Sequence, residues 1–248
     1  LVGGYLDEWL GWRSIFALIL ALGALVTAGA WRILHETMKP MGGEAISFAS
    51  SFASFAHLLR MPVFRGYAFQ GAFSVGTFFA FVGGAPYVMM ELLGQSASDY
   101  GRYFIGVAAM FIVGNFIAGK LSPKEGINLM ITLGTLTTLL AGASFSLVLL
   151  FQWLSPLTLF LPMMGVGLGN GMSAPNSLAG VVSVDTSRAG AAAGLSGCLQ
   201  MMVGAAMSYM IGLFIVDSAW PMAIAMTLGG SLALAFHLTA QRGVASGT

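Results

Sequence analysis

The 248-residue chain is 57% hydrophobic and 8% charged, with a mean hydropathy of +0.87 and a formal net charge of +1. A soluble domain carries about 25% charged residues, so this composition excludes an ordinary water-solvated globule and points to a chain dissolved in a bilayer. The small net charge gives a nucleic-acid partner no electrostatic support.

In chain order, residues 1–5 are too few to span anything and read as the stub of an earlier helix; Leu1 in place of Met fits a missing upstream region. Apolar stretches of about the length that a hydrocarbon core demands then predict an all-α polytopic membrane protein with spans at 14–34, 66–90, 103–119, 127–151, 154–180, 189–215 and 218–240. The third span is short and interrupted by Gly106, Gly114 and Asn115. Between the first two, Pro40, Gly42 and Gly43 precede SFASSFASFAHLLR, where Phe48, Phe52 and Phe55 recur near helical spacing ahead of Leu58 and Leu59. That spacing predicts an amphipathic helix at the membrane surface, its rings buried and Arg60 near the headgroups; the alternative is a plain linker. Three regions follow: 1–34 as the end of one bundle, 35–65 as a joining cytoplasmic loop, and 66–248 as a six-helix bundle with a short tail.

Charge gives an orientation. With the joining segment inside, Arg32, Lys39, Arg60, Arg65, Lys120, Lys124, Arg188 and Arg242 fall on the cytoplasmic side, against Arg13 and Arg102 outside. This is the basic bias that sets topology. Cys198, the single cysteine, lies in an apolar stretch and reads as a small buried packing residue. His35, His57 and His237 are widely separated and carry no metal-binding spacing.

Gly165, Gly167, Gly169 and Gly171 share one span, while Gly190, Gly194 and Gly197 open the next. Small residues three or four apart let helix backbones approach in a solvent that supplies no hydrophobic drive for association, so these positions are candidates for packing or gating. Pro86, Pro162 and Pro175 remove helical hydrogen bonds and mark segments that can border a mid-membrane cavity. Five amides lie within spans: Gln70, Asn115, Asn170, Asn176 and Gln200. A partner helix is the expected hydrogen-bonding neighbour of Asn115, whereas Gln70 and Gln200 are candidates for an aqueous path. Asn176, directly after Pro175, either answers carbonyls freed by the kink or touches cargo. Phe73, Phe78, Phe79, Phe81 and Tyr87 offer adaptable apolar area, with Met163, Met164, Met201, Met202 and Met207 elsewhere. The selected cavity candidates are Gln70, Phe73, Phe81, Tyr87, Pro175, Asn176 and Gln200. No carboxylate or basic residue lies deep in a complete span, so the chain offers no evident proton carrier of its own.

Several short motifs in order resemble the major facilitator superfamily, in particular its bicyclomycin-resistance-like branch of drug/proton antiporters. Residues 1–5 resemble the close of a glycine-rich fifth helix, Gly11-Trp12-Arg13-Ser14-Ile15-Phe16 the start of the sixth, and His35-Glu36-Thr37 its exit, with Met38 departing from the usual residue. Ala85-Pro86-Tyr87, Ala174-Pro175-Asn176, Ala189-Gly190 and Gly197-Cys198-Leu199-Gln200 resemble the corresponding seventh, tenth and eleventh helices. Gly119 and Lys120, within the segment running to Gly126, resemble a degenerate copy of the basic helix-joining motif without its full Asp/Arg pattern, which makes them gating candidates alongside Gly167, Gly171, Gly190 and Gly194.

The resemblance implies a partial fold of that superfamily, lacking an N-terminal half. It implies alternating access coupled to a proton gradient in the full-length protein, with no cofactor, no metal and no covalent chemistry. The implied partners are the lipid bilayer, the missing half and small hydrophobic or amphipathic substrates; a monomer is expected when full length, in the bacterial cytoplasmic (inner) membrane. A small-metabolite transporter for a sugar or amino acid is the main alternative. A polytopic membrane enzyme or a non-transporting binding protein ranks lower.

Overall fold

The computed structural model describes residue 6, residues 10–33 and residues 48–245. The expected stub at 1–5 and the motif at 35–38 lie outside the described residues. The chain divides into two units, Leu1–Ser47 and Phe48–Thr248. In the first, helix α1 (Arg13–Ile33) runs unbroken, with Ser14 Oγ donating to the carbonyls of Leu6 at 2.9 Å and Gly11 at 2.7 Å at its start.

The second unit contains α2 (Phe48–Arg60), α3 (Pro62–Tyr87), a π-helical turn at Val88–Leu92, α4 (Ala97–Glu125), α5 (Ile127–Leu150), α6 (Pro156–Val184), a 3-10 turn at Thr186–Arg188, α7 (Ala189–Phe214) and α8 (Trp220–Ala245). No strand occurs among the described residues. The helix starts follow local chemistry. Pro62 and Pro156 occupy first-turn positions, where a missing N–H costs nothing. Ser96 and Ser155 cap α4 and α6 by accepting from the backbone N–H of Asp99 at 3.1 Å and of Thr158 at 3.2 Å. Gly126 separates α4 from α5 at φ +84 and ψ 158, a conformation almost reserved for glycine.

Among the described residues, six helices are long and apolar enough to cross a membrane: Arg13–Ile33, Pro62–Leu92, Ala97–Glu125, Ile127–Leu150, Thr186–Phe214 and Trp220–Val244. The remaining expected span is the 29-residue α6, which also carries no Asp, Glu, Lys or Arg but is enriched in Gly, Ser and Asn because it is largely wrapped by other helices. The third span is longer than expected, an unbroken 29-residue helix. Gly106 and Gly114 do not interrupt it, because each sits where α6 approaches closely, against Met164 and against the backbone of Gly171.

Antiparallel and parallel neighbours can be read from individual contacts. Helix α3 runs beside α8 in the opposite sense, with Gly66 against Ala240 and Gly84 against Met222, and beside α7 in the same sense, with Gly71 near Gln200 and Gly84 near Ile211. Helix α6 has the matching pair of neighbours, α4 and α5, and crosses α3. Thus α3 with α7 and α8 mirrors α6 with α4 and α5, and α5 against α8 closes the bundle.

Helix α6 owes its central place to two glycine rows. Gly165 and Gly169 face α5, meeting Ala141, Gly134 and Thr138; Gly167 and Gly171 face α4, meeting Val107, Phe111 and Gly114. Residues two apart lie about 200° around a helix, so four alternating glycines serve two opposite neighbours. Gly190, Gly194 and Gly197 make no such approach: the space beside each is open among the described residues.

Helix α2 is held by Leu58, fully buried with Phe64, Tyr67, Val181 and Ala192. Phe52 is exposed and meets Phe55 edge-on at 6.2 Å, so burial within the protein rests on Leu58 and not on the aromatic row. The expected burial of the Phe48 ring falls outside the described side chains.

Candidate functional site

Along the crossing of α3 and α6 runs a buried polar seam. Gln70 Nε2 donates to Thr135 Oγ1 at 2.8 Å and its Oε1 accepts from Ser177 Oγ; Ser74 Oγ donates to Asn170 Oδ1 at 2.6 Å and lies 3.4 Å from Ser173 Oγ. Residues 70 and 74 share one face of α3, as 170, 173 and 177 share one face of α6. Both ends of the Gln70 amide are thereby engaged, in a fully buried position.

Beside this seam, α3, α4 and α6 border an open-sided cavity of about 460 Å³, with Phe111 and Ile112 at its exposed edge. Val75, Phe78 and Phe79 come from α3; Phe104, Val107, Ala108, Phe111 and Ile112 from α4; Gly167, Asn170 and Ala174 from α6. Gly167 lets α4 approach α6 beside the cavity, since a Cβ there would stand 2.8 Å from the Val107 carbonyl oxygen. Phe78 touches Phe79 and Phe104 edge-on, with ring centroids 5.9 and 6.2 Å apart, and Phe104 stacks on Tyr100 at 5.8 Å. From Tyr100 the aromatic contacts continue to Phe160, which also meets Tyr103 and Phe81, each at 5.4 Å. No charged residue lines the cavity, and its volume lies within the usual range of small-molecule pockets, about 300–1,000 Å³.

None of the seven cavity candidates selected from the sequence, Gln70, Phe73, Phe81, Tyr87, Pro175, Asn176 and Gln200, lines this cavity. Phe73 stacks on Phe236 of α8 at 5.7 Å, on another face of α3. Phe81 is buried against Phe160, and Tyr87 packs beside the same apolar cluster. Pro175 is exposed, whereas Asn176 is buried, donating through Nδ2 to Met172 O at 2.8 Å and accepting from Ser122 Oγ at 2.7 Å. The carbonyl freed by Pro175 belongs to Gly171, one residue earlier, so Asn176 braces α6 to α4 without answering the kink. Gln200 is half-buried, its Nε2 3.4 Å from Ser196 Oγ and lying over Gly71, so Gln70 and Gln200 approach one junction of α3, α6 and α7. Gly119 and Lys120 are exposed at one end of α4, with Lys120 Nζ 4.4 Å above the Phe116 ring.

Two expectations need correction. Asn115 reaches no partner helix but donates to its own helix at Phe111 O, 2.9 Å away. Cys198 is exposed, 3.8 Å from Met202 Sδ, because α7 buries only the strip facing α3. The described histidines are separate: His57 Nε2 lies 3.9 Å from Asp185 Oδ2, and the buried His237 lies 2.8 Å from Thr132 Oγ1. Sequence reasoning misses Val75, Phe104, Val107 and Phe111; of the lining residues it names Phe78 and Phe79 for apolar area, Gly167 for packing or gating and Asn170 as an intramembrane amide, without bringing them to one place.

A helical bundle with a ring-lined cavity and several lipid-length helices defines a multi-pass membrane protein. The family model of the Major Facilitator Superfamily matches residues 1–209, and the chain belongs to that superfamily. It is 26% identical over 235 residues to a bicyclomycin resistance protein homolog of Haemophilus influenzae, covering 91% of this chain and 56% of that protein. It is 31% identical over 236 residues to a chloramphenicol resistance protein of Pseudomonas aeruginosa, covering 90% and 52% respectively. A multidrug transporter MdfA of Edwardsiella piscicida is 28% identical over 123 residues, 50% of this chain and 30% of the relative. The chain spans about half the length of the first two of these relatives.

Proposed function

We propose that the complete protein is a proton-coupled exporter of apolar or amphipathic compounds, working by alternating access in the bacterial cytoplasmic membrane. The described bundle forms one wall of the route and an N-terminal bundle the other, within a monomer. The observation that carries this reading is the uncharged, phenylalanine-lined cavity between α3, α4 and α6. An unpaired charge buried there loses several kcal/mol of solvation, against about 0.5–2 kcal/mol regained over aromatic faces. A compound recognised mainly by apolar area fits better than a sugar, whose hydroxyls would lose their hydrogen bonds to water. The resistance and multidrug names of the relatives agree with the same class of cargo.

Transport breaks no covalent bond of the cargo and needs no catalytic group. Among the described residues the carboxylates are Glu91, Asp99, Glu125, Asp185 and Asp217, all near helix ends, so proton coupling is assigned to the N-terminal bundle. The test is uptake into inverted membrane vesicles containing the complete protein, using neutral antibiotics, cationic dyes, sugars and amino acids. Accumulation of the apolar compounds that stops when the proton gradient is collapsed is expected. Selective movement of a sugar or amino acid would replace drug export with metabolite transport.

A further inference from the structure

We propose that Asn170 is the specificity-determining donor of the cavity, selecting uncharged aromatic compounds that carry a hydrogen-bond acceptor such as a carbonyl oxygen. The inference deepens the export reading and rests on it for the identity of the site as a cargo position. Asn170 is the single polar side chain in the lining, buried to 5% exposure. Ser74 Oγ donates to its Oδ1 at 2.6 Å, which anchors the amide and turns Nδ2 away from the seam. Nδ2 makes no hydrogen bond among the described residues, yet it is not one of the buried polar atoms shut off without a partner. Nδ2 therefore keeps a small exposed edge on a side chain that lines an otherwise apolar space.

An amide held at one end and free at the other is a directional group. A hydrocarbon entering the cavity would displace water from Nδ2 and return nothing, whereas a carbonyl would restore the hydrogen bond while its rings settle among Phe78, Phe79 and Phe104. A cation gains the faces of phenylalanine rings but finds no carboxylate in the lining, so it pays desolvation without a counter-charge. Ser74, one hydrogen bond behind Asn170, acts as a positioning residue.

The test uses the complete protein in lipid nanodiscs and three compounds of one shape: benzophenone, diphenylmethane, which lacks the carbonyl, and benzhydrylamine, which is cationic at pH 7. Affinities are corrected with empty nanodiscs, and irradiated benzophenone is mapped onto the protein by peptide mass spectrometry. Benzophenone is expected to bind about three- to tenfold tighter than diphenylmethane, the worth of one neutral hydrogen bond, and benzhydrylamine to bind weakest. Its label is expected on α3 near Phe78 or on α4 near Phe104. In Asn170→Leu the ketone and the hydrocarbon should bind equally, with hydrocarbon affinity retained. Equal binding of the two by the unaltered protein, or labelling confined to other helices, overturns the inference, and both readouts stand without the variant should it fold poorly. A correctly labelled cavity with the ketone preference, in a protein that moves no compound in vesicles, supports the inference and removes the export reading. Active export with the label elsewhere does the reverse.

Discussion

Gln70 is a polar side chain at full burial whose cost is met by two hydroxyls on two other helices, Thr135 and Ser177. In a membrane bundle such bonds contribute about 0.6 kcal/mol on average, because the unfolded chain in lipid also finds partners. Gln70→Leu should therefore lower the unfolding midpoint in detergent by no more than about 2–4 °C, the shift worth about 1 kcal/mol in a chain of this size. Asp185 has a defined electrostatic role. It accepts from Ser187 N at 3.1 Å, Ser187 Oγ at 2.5 Å and Arg188 Nη1 at 2.6 Å, and these bonds, the Ser187 hydroxyl first, hold its carboxyl at about 2, below the usual 3.8. A depressed carboxyl contributes stability that is present above the unfolded value and is lost as pH falls toward the folded one. The contribution of this turn should stay constant from pH 7 down to about pH 5 and fade between about 4 and 2. Midpoints measured across that range for the unaltered protein and for Asp185→Asn check it: the variant should lose the part of the acid slope that belongs to this group.

At the scale of the element, α6 shows why glycine spacing carries more information in a membrane helix than apolar periodicity does. Gly114 and Gly134 are the partner positions on α4 and α5, and a Cβ at either would stand about 3 Å or less from backbone atoms of α6. Alanine at each should cost about 1–3 kcal/mol, as overpacking does, read as a loss of thermal midpoint. Gly194→Ala, where the neighbouring space is open among the described residues, should leave the midpoint of this bundle unlowered and raise it by up to about 1 kcal/mol equivalent, because alanine narrows the unfolded ensemble. The spacing of all these glycines was plain in the sequence. Which rows meet a neighbour was not, because an open row and a packed row have the same composition. Helix α2 supplies a separate case. Leu58→Ala removes its buried anchor, so amide exchange across 48–60 should accelerate while α3 to α8 keep their protection; equal acceleration throughout would show that α2 is integral to the bundle core.

For the whole molecule, the alternation of helix directions places Arg60, Arg65, Lys120, Lys124, Arg188 and Arg242 toward one end of the bundle and Arg102 toward the other. If the positive-rich end is cytoplasmic, single cysteines near Lys124 and Arg188 react with an impermeant reagent from the inside, and those near Asp99 and Asp217 from the outside. Labelling of all four from one side would contradict the arrangement. The exposure of Cys198 makes its prior replacement necessary.

Composition and the absence of charge from long stretches determined that this is a polytopic helical membrane protein, and short motifs in order pointed to its superfamily. The helix ends follow serine, proline and glycine at the joins, since capping and φ preferences are local, and the apolar stretches alone left them several residues away. The cavity was decided only by tertiary packing. Helix α3 is apolar outside the stripe of Gln70, Ser74 and Thr77, so no periodicity tells the face bearing Val75, Phe78 and Phe79 from the one bearing Phe73, and the sequence-based choice fell on residues of neighbouring faces. The same reason hid the exposure of Cys198 and the role of Asn170. In lipid, a side chain facing the solvent and one facing the core obey the same apolar rule, and only the approach of other helices distinguishes them.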